Sequence, residues 1–132
     1  MILMIYVALT GIARHVMKEL LAARVRTVEI RSPHNFVALL HIQPGDKIFM
    51  TQSSAPDIVP GTNGLIASIM EIQLITHRVI QTSEDYYEVR EAQEGMAQLH
   101  LDGMGRVRKV ASFEVGLPLE LEVDLVKYCD AG

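Results

Sequence analysis

A chain of 132 residues, 49% hydrophobic and 21% charged, has the length of one domain and the composition of a protein that folds around a core. Its net charge of −4 excludes a strongly basic nucleic-acid binder, yet residues 1–81 carry seven basic and five acidic groups against five and eleven in residues 82–132, so a local basic patch stays open in the first part. A lone cysteine, Cys129, excludes an internal disulfide framework; beside Asp130 it reads as a small hydrophobe rather than a reactive thiolate, in a chain expected to be cytoplasmic.

The first apolar run, over residues 2–9, has no basic segment before it and ends at Thr10-Gly11. It reads as a buried strand rather than a signal peptide, and nothing approaches the ~20 apolar residues of a spanning helix, so no membrane partner is expected. Thr10 is an N-cap candidate for a helix from Gly11 to Arg24. Along it Ile12, Val16, Leu20 and Ala23 recur at helical spacing, with Arg14 and Lys18 on another face. Val25 to Arg31 then switches to the alternation of a strand, which Pro33 closes.

His34 to Ile42 suits a short helix or a buried strand equally. Pro44-Gly45-Asp46 marks a turn before a short strand, Lys47 to Thr51. The loop from Thr51 to Asn63 is long, and long loops often carry function. Gly64 to Ile80 exceeds one regular strand and predicts a bulge, a bend or a break. Residues 82–95 read as a strand, although Thr82 and Asp85 also offer a helix-like start. Asp102-Gly103, between Met96–Leu101 and Met104–Phe113, predicts a hairpin turn. From Leu119 to Lys127, Leu119, Leu121, Val123 and Leu125 face one way, while Glu120, Glu122 and Asp124 form an outer acidic row. The expected fold is a single domain over residues 1–132, mainly β with α (α+β). It is a small closed or partly closed antiparallel β-barrel with an N-terminal helix packed on it.

Alternate residues of a strand share a face. With Val28 and Ile30 toward the core, Thr27, Glu29 and Arg31 make a polar row at about 7 Å spacing. The row offers a hydroxyl, an acceptor and a planar five-donor fork, a set able to hold a phosphate, a ribose or a base edge. It also suits a solvated strand face with a weak Glu29–Arg31 pair. His34 and Asn35 follow closely enough to line the same cleft, and Arg78 adds a further cation. The five histidines show no His-x-x-x-His spacing, so neither a metal site nor a cofactor is predicted.

The order helix, Arg26-Thr27-x-Glu29-x-Arg31, apolar stretch, Gly45-Asp46 entering a strand resembles the ASCH branch of the PUA-like superfamily. Those are small β-barrels associated with RNA, and the resemblance covers roughly residues 12–80. Val25-Arg26 stands where ASCH members often have Gly-Lys, which keeps a cation but removes the lysine that amidohydrolase-like members use with threonine and glutamate. The whole chain is similar to an uncharacterised archaeal family, domain of unknown function 473. That similarity rests on Arg14-His15, His34-Asn35-Phe36, Pro60-Gly61-Thr62, His77-Arg78-Val79-Ile80 and Gly103-Met104-Gly105-Arg106-Val107, and it brings no activity with it.

The resemblance implies RNA or a nucleotide bound in a cleft beside residues 25–31. Arg26, Arg31 and Arg78 would meet phosphate there, and Thr27, Glu29 and Asn35 would bond a base or sugar, with His34 in the lining. Two rival readings stand beside it. One is a small hydrolase acting on a modified nucleoside, with Glu29 as acid/base. The other is a non-catalytic interaction module that forms a homodimer through an edge strand.

Overall fold

The computed structural model of the chain describes residues 3–128. They are mainly β with α, in the order β1 (Leu3–Leu9), α1 (Arg14–Ala23), β2 (Val25–Ile30), α2 (Pro33–Leu39), β3 (Lys47–Met50), β4 (Asn63–Thr82), β5 (Tyr87–Ser112) and β6 (Glu120–Tyr128). A single 3-10 turn, Ala55–Asp57, interrupts the loop before β4. The strands pair in the order β2-β5-β4-β3-β1-β6, and β6 also pairs with β5. The pairings of β1, β3, β4, β5 and β6 thus return to their start, and β2 hangs on the edge of β5. Length makes this possible: β5 has 26 residues, serving β2 with residues 95–100 and β6 with residues 103–112. Among the described strands only β1 and β3 run parallel.

Buried side chains gather in two clusters. One lies under the helices and includes Leu20, Ile30, Leu39, Ile48, Met50 and Leu99; the other includes Phe49, Ile66, Leu119, Leu121 and Val123. Neighbours Ile48, Phe49 and Met50 alternate between the clusters and are all fully buried, so β3 is covered on both faces, which explains its unbroken apolar sequence. Val28 and Ile30 in β2 are 3% and 1% exposed. Burying each contributes about 2 kcal/mol, and a one-residue slip would drive Thr27 and Glu29 into the core instead, so the register is fixed.

Helix α1 begins at Arg14, three residues later than a cap at Thr10 would set it. The intervening backbone is held elsewhere: the Gly11 and Ile12 N–H groups donate to the Ser53 and Thr51 carbonyls at 2.9 and 3.0 Å, and Gly11 has φ 62°. The chain cannot coil until it leaves that contact. The ambiguous stretch after Pro33 is the helix α2. The Ser32 hydroxyl accepts from the Asn35 N–H at 3.1 Å and Pro33 takes the first turn, a pairing that favours helix over strand.

The expected irregularity in β4 is present as register shifts at Ile66/Ala67 and Ile69/Glu71. The turn expected at Asp102-Gly103 is not there: β5 runs through it unbroken. Ile66 faces Gly103 and Ala67 faces Leu101, which leaves Asp102 as the extra residue of a β-bulge. Glycine is required beside it because a Cβ at Gly103 would lie 2.6 Å from the Lys127 carbonyl oxygen. The actual turn lies earlier, where the Ser83 N–H donates to the Tyr86 carbonyl at 2.8 Å and β5 begins at Tyr87.

Leu119, just before β6, and Leu121 and Val123 within it are buried as the alternation required. The acidic row is less exposed than an outer face would be. The Glu122 side chain is 18% exposed and lies 3.6 Å from Lys109, and Asp124 Oδ1 is buried without a hydrogen-bond partner. Cys129 lies outside the described residues. Among the described residues no helix is long and apolar enough to cross a membrane.

Candidate functional site

With Val28 and Ile30 inward, Thr27, Glu29 and Arg31 all stand on the exposed side. A groove of about 1010 Å³ runs along β2, the segment Thr10–Ala13, the start of α2 and the loop residues Ser54–Pro56. Six residues singled out in the sequence line it: Arg26, Thr27, Glu29, Arg31, His34 and Asn35. Four consecutive residues, Arg26 to Glu29, contribute to the lining. A strand that lined a cavity with one face would contribute only alternate residues. The groove therefore borders the edge of β2, which pairs with β5 and with no other described strand.

A smaller recess of about 200 Å³ extends past Glu29 and Arg31 over Gln73, Ile75, Glu94 and Met96. On the open face of the sheet, Thr27 stands opposite Gln98 and Glu29 opposite Met96, with Glu71 and Gln73 alongside. His15, Gln73, Met96 and Gln98 are additions that sequence reasoning missed. The signal for Gln98 was its outward place in the strand Met96–Leu101, between the inward Ala97 and Leu99; what the sequence did not show was that this strand pairs with β2. The Ser54–Pro56 contribution matches the long-loop argument.

The lining side chains differ in how free they are. Arg26 is held: its Nε pairs with Glu19 of α1, its other nitrogen donates to the Thr27 carbonyl at 3.0 Å, and its side chain is 26% exposed. Arg31 and Glu29 approach to 2.6 Å, but their side chains are 81% and 63% exposed, so solvent screens the pair to at most about 1 kcal/mol. Asn35 is buried and fully engaged with one residue. Its Oδ1 accepts from the Thr10 N–H and its Nδ2 donates to the Thr10 carbonyl, each at 2.9 Å. Burial lowers the pKa of His34 below its ordinary value, which keeps the ring neutral at neutral pH, and its Nε2 is buried without a partner.

Helix α1 opens toward the same groove through Ala13, His15 and Val16. Its cap residue, Ala13, makes no side-chain hydrogen bond and its first turn holds no acid, so the partial positive charge of that end is unneutralised. Arg78 lies elsewhere, on β4 beyond the end of β2, 3.4 Å from Glu91.

A second polar set forms at the bulge. Asp102 accepts from the Ser68 hydroxyl and lies 3.2 Å from His100 Nδ1 and 3.8 Å from Lys47. The carboxylate is central here. A nucleophilic serine needs the imidazole between itself and the acid, so this is not a relay of that kind. The Ser68 hydroxyl, the His100 ring and the Lys47 ammonium around one carboxylate instead hold the bulge. Among the described residues no three His, Cys, Asp or Glu side chains converge as metal ligands.

Comparison with known proteins identifies the family without an activity. A family model described as a protein of unknown function (DUF473) matches residues 4–121. The chain is 22% identical over 113 residues to the uncharacterised protein MJ0105 of Methanocaldococcus jannaschii, covering 86% of this chain and 71% of that one. No solved structure matches. The family match takes in all of α1, β2, α2, β3, β4 and β5 and therefore every residue of the groove, and the chain belongs to the DUF473 family of proteins of unknown function.

Proposed function

We propose that the chain is one PUA-like domain which, in the cytoplasm, binds single-stranded RNA or a nucleotide in the groove along β2. The observation that carries this reading is the convergence of Arg26, Thr27, Glu29, Arg31, His34 and Asn35 on one groove beside an uncapped helix end. Phosphate chemistry suits this end of the molecule: Arg26 is already oriented, Arg31 is exposed, and the free N–H groups of α1 favour an anion. Thr27, Glu29 and the neighbouring Gln98 supply hydroxyl, acceptor and amide groups for a sugar or a base edge. At about 1010 Å³ the groove matches the upper end of small-ligand sites, and its open edge admits an extended strand. Among the described residues no Phe, Tyr or Trp lines it, so stacking falls to His15 and the Arg31 plane, and binding is modest in strength.

The hydrolase reading has less support. An acid/base at Glu29 needs burial to hold a proton near neutral pH, and that side chain is 63% exposed beside Arg31. The closed ring of strand pairings with a helix against it supports the PUA-like reading of the fold.

Fluorescence anisotropy with a short labelled RNA tests the proposal. Between about 50 mM and about 200 mM salt, two or so phosphate contacts predict an affinity loss of roughly tenfold. Arg31→Ala should weaken binding and flatten the salt dependence, whereas Arg78→Ala, outside the groove, should leave both unchanged. Absence of binding to RNA and to mononucleotides at about 50 mM salt overturns the proposal.

A further inference from the structure

Beyond Gly95, where β2 ends, β4 and β5 continue as a two-stranded arm formed by residues 75–82 and 87–94. No third described strand pairs with either edge of it. At the usual rise per residue it reaches about 26 Å. Its apolar side chains are uncovered: Ile80 (61% exposed) faces Val89 (47%) across the ladder, with Tyr87 (74%) on the same face, and Ile75 and Val79 lie on the other. A two-stranded ribbon alone is marginally stable in water, and an open apolar ladder invites pairing.

Charge selects the occupant. Residues 75–94 hold five acidic and two basic groups, net −3 of the chain's −4. Such an arm repels nucleic acid. Within it Arg78–Glu91, Arg90–Glu88 and His77–Glu94 pair at 3.4, 3.1 and 3.6 Å. Glu84 and Asp85, at the tip, have no ion-pair partner among the described residues. On α1, Arg14, Lys18 and Leu21 form one exposed stripe at i, i+4 and i+7, and neither cation has an ion-pair partner among the described residues.

We propose that the arm is a dimerisation arm. In a two-fold pair the apolar ladder of each arm lies against a second copy of the chain, and Glu84 and Asp85 meet Arg14 and Lys18 of that copy. A two-fold contact of this kind is closed, since each protomer gives one arm and receives one. The stripe on α1 is distinct from His15 and Val16, which line the groove, so this dimer is independent of what the groove binds.

Sedimentation equilibrium of the full chain tests it. The wild type should sediment as a dimer of twice 14.7 kDa and dissociate as salt rises. Glu84→Lys with Asp85→Lys should raise the dissociation constant at least about tenfold, and Arg14→Glu with Lys18→Glu should do the same. The chain carrying all four substitutions should recover most of the wild-type affinity, because the charges are exchanged rather than lost. All four positions are exposed, so folding is preserved. A wild type that stays monomeric at its highest soluble concentration overturns the proposal and leaves the arm to a different protein. A four-substitution chain as weak as either pair alone overturns the contact between arm and α1.

Discussion

Asn35 joins both ends of its amide to the backbone of Thr10, at 2.9 Å each way, and so fastens the start of α2 to the segment that leads into α1. In the groove it holds the wall, with both ends of its amide engaged by backbone. Asn35→Ala would remove two bonds and leave a buried N–H and carbonyl unpaired, and should cost about 2 kcal/mol in urea unfolding followed by circular dichroism. A loss below about 0.5 kcal/mol would mean that water replaces the amide there. The outward row Thr27, Glu29 and Arg31 was legible because a strand has a period of two, with Val28 and Ile30 inward, but the groove at the edge of β2, which Arg26 and Val28 also line, was not. The task of each residue was not legible. The partner of Asn35 is 25 residues away, and Arg26 is fixed by Glu19 on a different element. Pairings across elements leave no local periodicity to read.

At the scale of elements, β2 and the irregularity of β4 could be read from pattern because each expresses itself in a run of neighbouring side chains. Helix α1 starts late because the Ser53 and Thr51 carbonyls hold Gly11 and Ile12, a constraint supplied by a loop forty residues further on. Asp102-Gly103 has the composition of a turn, and glycine serves there for close approach to β6 instead. Gly103→Ala places a Cβ 2.6 Å from the Lys127 carbonyl oxygen, so it should destabilise the protein by about 2 kcal/mol and weaken the β5–β6 pairing first. Hydrogen exchange that speeds up at residues 121–127 before the β2–β5 pairs is the expected signature. A Gly103→Ala protein with unchanged stability would show that β6 shifts freely to make room.

Across the whole molecule, two features follow from the length of β5. It carries β2 and β6 on one edge, which completes the ring of pairings and opens the groove at β2, and it extends past β2 to form the acidic arm. Five of the eleven acids of residues 82–132 thus stand on the arm, away from the cations of the groove and α1. The sequence indicated the separation but not the arm, because the hairpin expected at Asp102 divided β5 into shorter strands. The proposed site for RNA or a nucleotide is the groove along β2. Titrating nitrogen-labelled protein with a short single-stranded RNA and following backbone amide shifts tests it most directly. Shifts should concentrate in residues 10–16, 26–32 and 96–98, with the arm tip at residues 83–86 unmoved. Amides of the groove that stay in place while RNA binds elsewhere, or no shift at low salt at any RNA concentration, would contradict it.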